Sequence, residues 1–249
     1  GECKVVPAKN YGHDLIAMAA AITNKTRLVF VTNPNNPTGT WLTQTDIEDF
    51  MAKVPSNVVV VLDEAYFEYV NETDYCDGLT LLAAYPNLVI TRTFSKAYGL
   101  AALRVGYGIS APEIADLMNR VRPPFNVNSF ALATAIATLN DDDYVAESKA
   151  VNDTGMVYLT QSFDVLGLPY IPSVGNFISF EIPIVDGSAV NANVISASIV
   201  NERLLAMGVI IRPIANYEMP NHLRVSIGTQ TENETFIAAL AKILTAANS

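Results

Sequence analysis

The sequence is poor in the residues that build metal and hydrolytic centres. Two histidines and two cysteines in 249 residues leave a histidine-based metal site or a Ser/His triad almost nothing to work with, and no metal is expected. Cys3 and Cys76 are too few for a disulfide framework and stand in no CxxC or other metal spacing, which suits a reducing cytoplasm. His13 and His222 are expected to be ordinary surface or turn residues. Positive charge is scarce as well. Against 25 Asp and Glu there are 15 Lys and Arg, a formal net charge of −10, which gives no basic stripe to neutralise a phosphate backbone and argues against a nucleic-acid partner. No apolar run reaches the roughly 18 residues of a membrane helix, and no basic segment leads into an apolar one at the start, so no membrane association is expected. What remains is a chain 50% apolar and 16% charged, able to bury a large core.

Two periodicities alternate along the first half. "RLVFVT" (27–32), "NVVVVLD" (57–63) and "NLVITRTF" (87–94) are short, almost continuous apolar runs, as expected of strands buried on both faces of a parallel sheet. Helical patterns lie at 13–23, at 43–54 behind a Thr43/Asp46 capping pair, and at 78–85;. "LRVGYGIS" (103–110) reads as a further strand that Arg104 begins, followed by a helix over 110–121 with a Ser110/Glu113 cap and a stop at Pro123-Pro124;. Residues 129–139, apolar nearly all round, are expected to be buried, and 141–167 to form one long helix with a break near Gly155;. Beyond about 168 the pattern becomes α+β: strands at 176–182, 209–213 and 223–228, a helix near 189–207, and a last helix from Thr231 capped through Glu234. The predicted architecture is α/β, a mostly parallel, doubly wound sheet with a second, smaller α+β domain. Its parts are a large domain over 1–140, a linking helix over 141–167 and a small domain over 168–249.

Four patches fall at strand ends or turns, where α/β proteins place their sites. "NPNNPTG" (33–39) is an Asn- and Pro-rich turn whose amides can face a ligand, although those residues dominate ordinary turns too. In "LDEAYFEY" (62–69) a carboxylate, Asp63, ends an apolar strand and needs a partner: a protonated ring nitrogen of a ligand, or a helix N-terminus. Tyr66 can set a phenol beside the same ligand or simply pack. In "TFSKAYGLAALRVGYG" (93–108) Lys96 sits among small and apolar residues, and desolvation together with Arg104 disfavours its ammonium form, leaving a nucleophilic amine. Ser95 and Arg104 suit phosphate oxygens. A carbonyl-reactive amine, a carboxylate for a pyridinium nitrogen, an amide and a phenol for a ring oxygen, and a Ser/Arg pair for a phosphate together describe pyridoxal 5'-phosphate.

In their order and spacing, "NPNNPTG", "DEAYFEY", "SKAYGLAALRVGY" and "HLRVSIG" resemble the class II, fold-type I aminotransferases, and most the histidinol-phosphate aminotransferases; the resemblance spans nearly the whole chain. It implies that Lys96 holds the cofactor covalently and shuttles a proton, that Asp63 keeps the pyridine nitrogen protonated, that Asn36 and Tyr66 bind the ring oxygen, and that Ser95 and Arg104 bind the phosphate. Arg224 would clamp a substrate carboxylate, or guide the glutamate co-substrate when it binds. Arg212, twelve residues earlier and on a neighbouring strand, would meet the phosphate of the small-molecule amino-acid/phosphate substrate and set specificity, unless it forms a surface salt bridge. The implied reaction is transamination between histidinol phosphate and 2-oxoglutarate in histidine biosynthesis, by a cytoplasmic homodimer. The alternatives are an aromatic amino-acid aminotransferase and a catalytically incompetent, truncated assembly fragment. The chain opens on "GECKVVPAKNYGHDL", as if inside a domain. The resemblance implies that the family's N-terminal arm, its phosphate-binding Gly-rich loop and the aromatic that stacks on the cofactor are not in this chain, so its activity alone is in question.

Overall fold

The computed structural model describes residues 1–183 and 195–247, in two compact units, Gly1–Asn36 with Thr40–Ser148, and Pro37–Gly39 with Lys149–Ser249. In the first unit the Val- and Leu-rich runs form β1 (Leu28–Thr32), β2 (Val59–Asp63) and β3 (Leu88–Thr93), paired in parallel, while β4 (Gly106–Ser110) closes the sheet antiparallel to β3. The helices of this unit are α1 (Leu15–Ala20), α2 (Gln44–Met51), α3 (Pro112–Val121) and α4 (Ser129–Thr138). Leu62 and Ile90 are fully buried against Ile47 and Phe50 of α2, each contributing about 1.5–3 kcal/mol of burial. The expected cap on α2 forms: Thr43 Oγ1 accepts from Asp46 N at 3.1 Å and Asp46 Oδ2 accepts from Thr43 N at 2.9 Å.

Several expectations fail for physical reasons. Burial on both faces does not hold for β1, where Leu28 and Phe30 remain 55% and 63% exposed; alternation turns Val31 alone fully into the core. The segment 78–85 holds only a 3-10 turn, Gly78–Leu81. Gly78 is pressed so closely on Leu62 and Glu64 that a Cβ there would lie 2.8 Å and 2.9 Å from them, so the strand sets the geometry of the turn. The Ser110/Glu113 cap is absent because α3 starts from Ala111 with Pro112 in its first turn;. Helix α4 is not buried: only Ala131 and Ala135 pack, against Phe94 and Val105, while Phe130 and Ile136 are 79% and 66% exposed. An all-round apolar pattern carries no information on which face is covered.

Helix α5 (Asp142–Leu166) runs through the unit boundary without a break at Gly155. Gly155 serves close packing instead, since a Cβ there would stand 2.4 Å from Ile227 Cγ2 and 2.8 Å from Asn233 Nδ2. Gly155→Ala should therefore destabilise by about 1–2 kcal/mol even though alanine gains roughly 1 kcal/mol over glycine inside a helix; urea unfolding measures the difference, and a more stable variant would contradict this role. The second unit is an antiparallel sheet of β5 (Tyr170–Ile171), β6 (Phe177–Glu181), β7 (Arg212–Pro213) and β8 (His222–Ser226), in the order β5-β6-β8-β7. Phe163, Phe180 and Leu240 lie in its core, with α6 (Ala197–Ala206) and α7 (Gln230–Ala247). The expected helix near 189–207 begins outside the described residues. Glu232, not Glu234, accepts from Thr229 N at 2.8 Å at the start of α7, while Glu234 accepts from Gln230 Nε2.

Candidate active site

Three parallel strands end side by side. The register places Thr32 beside Asp63 and Asp63 beside Thr91, so the segments after β1, β2 and β3 leave one edge of the sheet at steps of roughly 4.8 Å. The antiparallel β4 enters at that edge, with Gly106 beside Thr93. Strand order and register thus bring the segments carrying Asn36, Asp63, Tyr66, Ser95, Lys96 and Arg104 to one end of one sheet.

Asn36 Nδ2 donates to the Tyr66 hydroxyl at 3.1 Å, and Tyr66 is buried, 6% exposed. The Lys96 Nζ stands 5.2 Å from the centroid of the Tyr66 ring, within cation–π range. Asp63 is half-buried and accepts from Ala65 N through Oδ1 at 3.1 Å, so part of the carboxylate does cap its own turn. Arg104 does not begin β4. It precedes the strand in the left-handed region at φ 55°, a conformation that costs a non-glycine residue about 1–3 kcal/mol and gathers at functional sites. Its Nη1 donates to Ala101 O at 2.8 Å and reaches Ser95 Oγ at 3.5 Å. In the second unit, Arg212 and Arg224 are directly opposite across the antiparallel β7–β8 pair, and Arg224 Cζ lies 5.1 Å from the Phe177 ring centroid.

Both histidines depart from expectation. His13 is part-buried with Nε2 accepting from Thr32 N at 3.1 Å, and burial lowers its pKa; His222 lies within β8, and burial lowers its pKa too. Thr32 Oγ1 in turn donates to Asn35 at 2.6 Å, fixing the start of the 33–39 turn. That turn contains a cis Asn33-Pro34 bond, and Tyr75 donates its hydroxyl to the Asn33 carbonyl. Burial pushes the Cys76 thiol up to about 12, so it is an inert core residue at neutral pH. Among the described residues no cluster of His, Cys, Asp or Glu could hold a metal ion, and no helix is long and apolar enough to cross a membrane.

Sequence reasoning missed a buried ionic cluster behind the edge. Arg92 Nε donates to Glu64 Oε2 at 2.8 Å, and Arg92 Nη2 is 2.7 Å from Glu64 Oε2 and 2.8 Å from Asp77 Oδ1. Glu64 Oε1 accepts from Gly78 N at 2.7 Å, and Arg92 Cζ lies 3.6 Å from the Phe67 ring centroid. Burial pushes the Glu64 carboxyl up to about 7, with the Arg92 guanidinium pulling it back down. The sequence did carry a signal: an arginine inside the apolar run "NLVITRTF" requires a counter-charge once buried.

The family described as aminotransferase class I and II matches residues 1–240. Histidinol-phosphate aminotransferase 2 of Pseudomonas fluorescens is 57% identical over 98% of this chain, and histidinol-phosphate aminotransferase 1 of Nitrosococcus oceani is 54% identical over 96% of it. The chain spans 63% and 62% of the lengths of these two relatives. Among solved structures, histidinol-phosphate aminotransferase of Sinorhizobium meliloti in complex with pyridoxal-5'-phosphate superposes with a TM-score of 0.84 at 30% identity, over 98% of this chain and 64% of that one.

Proposed function

The chain belongs to the class I and II aminotransferases, and from that premise we propose that it carries out pyridoxal-phosphate-dependent transamination between histidinol phosphate and 2-oxoglutarate, in histidine biosynthesis. The observation that carries this reading is the convergence of Asp63, the Asn36–Tyr66 pair and Lys96 on one sheet edge. The donor set fits the cofactor: one amine able to bond a carbonyl carbon, one strand-end carboxylate, an amide–phenol pair and a Ser/Arg pair. Pyridoxal phosphate, when bound, supplies an electron sink for negative charge developing at the substrate Cα.

The chain's own residues do the rest. Lys96 would hold the cofactor through its carbonyl carbon, and its amine would carry the proton at the substrate Cα. Asp63 holds a proton at the ring nitrogen by its negative charge. Asn36 and Tyr66 donate hydrogen bonds to the ring oxygen, and Ser95 with Arg104 holds the phosphate, the guanidinium bidentately. Arg224 would take a carboxylate of the glutamate or 2-oxoglutarate co-substrate. Arg212 would take the substrate phosphate, and its direct cross-strand pairing with Arg224 supports this, because residues opposite each other across an antiparallel pair share one face and can meet the same anionic ligand. The working form is a cytoplasmic homodimer.

Turnover on histidinol phosphate with 2-oxoglutarate, compared with phenylalanine, tests the reading in the intact protein. Arg212→Ala should raise KM for the phosphorylated substrate about 10- to 100-fold, the worth of a charge-assisted hydrogen bond, and leave the KM for phenylalanine nearly unchanged. Equal effects on both substrates would remove Arg212 from phosphate recognition, and higher activity on phenylalanine would favour an aromatic amino-acid aminotransferase.

A further inference from the structure

Arg92 lies near the end of β3, four residues ahead of Lys96, which follows the strand, and its guanidinium reaches three residues of two other segments. It pairs with Glu64, the residue after Asp63, and with Asp77 at the start of the 3-10 turn. It also covers the ring of Phe67, the residue after Tyr66. Its side chain is only 9% exposed and that of Glu64 is fully buried, so the contacts are shielded from water and hold a defined geometry. The segment 63–67 has little else of regular structure to locate it beyond the end of β2. Glu64 N donates to Thr91 O at 2.8 Å, and the next anchor is the single 3-10 turn Phe67–Tyr69.

We propose that Arg92 is a positioning residue for the transamination, its planar guanidinium tying Glu64 and Phe67 to β3 and thereby setting Asp63 and Tyr66 relative to Lys96. The inference rests on the reading of the site given above. A lysine cannot replace this arginine. Its single ammonium would have to choose between Glu64 and Asp77 and would offer no plane to stack on Phe67. In Arg92→Lys the charge stays, but the fork and the stacking are lost. Asp63 then holds the ring nitrogen less well, and the Tyr66 hydroxyl drifts from the ring oxygen. A displacement of an ångström in such groups costs on the order of 100-fold in rate.

The test uses the intact protein loaded with pyridoxal phosphate, comparing wild type, Arg92→Lys and Ile47→Ala. The last is a destabilising change in the core of the same unit, with Ile47 2% exposed, and involves no residue of the cluster. Three quantities are read at a temperature where circular dichroism shows all three proteins folded: cofactor dissociation constant, the midpoint of the visible band against pH, and the split between kcat and KM. Arg92→Lys should lower kcat by about 10- to 100-fold with little change in KM, weaken cofactor binding, and move the midpoint by about one pH unit. Ile47→Ala should leave the midpoint where it is. If Arg92→Lys loses stability but keeps the wild-type midpoint and kcat, or if Ile47→Ala moves the midpoint equally, Arg92 is structural only and the proposal falls. A wild-type protein that shows no visible band with pyridoxal phosphate overturns the reading of the site, and this proposal with it.

Discussion

Lys96→Ala abolishes the covalent trapping of pyridoxal phosphate by borohydride and lowers turnover by at least about 1,000-fold, the upper part of the range for losing a positioned proton carrier. The size of the effect follows from the double use of one amine. The same Nζ must bond the cofactor and later carry the proton, and the neighbouring groups cannot substitute: Asp63 is acceptor-only when ionised, and Tyr66, whose ring centroid is 5.2 Å from Nζ, is a phenol hydrogen-bonded to Asn36;. The fold should survive, because Lys96 is only half-buried and lies after β3 rather than in it. Mass spectrometry of the reduced wild-type protein should find the cofactor on the peptide containing Lys96. Label on any other lysine, or undiminished trapping in Lys96→Ala, would remove this residue from the proposed role.

Arg92→Leu destabilises the protein by about 3–5 kcal/mol at about pH 8 and above, where the wild-type Glu64 is ionised, because it removes the counter-charge of a fully buried carboxylate;. The loss depends on pH in a definite direction. In the wild type, burial raises Glu64 from 4.5 to about 7. Between those values the folded state keeps a proton that the unfolded chain has released, so stability falls as pH rises across this window and levels off above it. Without the arginine the carboxyl moves higher still, and the deficit relative to wild type should grow from about pH 6 to about pH 8. Adding Glu64→Leu to Arg92→Leu should recover part of the loss, since no buried charge is then left unpaired. Chemical denaturation at several pH values measures all of this. A single variant that loses less than about 1 kcal/mol, or a double variant worse than the single, would mean that the pair does not carry the stability assigned to it.

Much of the candidate site was legible because it depends on local rules. Continuous Val, Ile and Leu runs specify strands buried in a layered α/β fold, and the polar residues that interrupt those runs at Asp63 and Ser95-Lys96 are by construction at strand ends. Asn36 and Tyr66 follow the same logic one turn further on. The misreadings share a cause. Helix α4 looked buried and Gly155 looked like a break because periodicity registers the kind of side chain and not its neighbours. Only the packing shows Phe130 at 79% exposure and Gly155 against Ile227.

The sequence by itself determined the alternation of strand and helix, the acidic character that argues against a nucleic-acid partner, and the set of side chains available for chemistry. Each of these depends on residue type and near-neighbour spacing. Only the tertiary structure decided which of those side chains meet: that Asn36 reaches Tyr66 across thirty residues, that Arg212 faces Arg224, that Arg104 is held left-handed before its strand, and that Arg92 closes on Glu64 and Phe67. These contacts depend on strand register and on the path of the turns between strands, and in a sheet a shift of one residue would send each side chain to the opposite face.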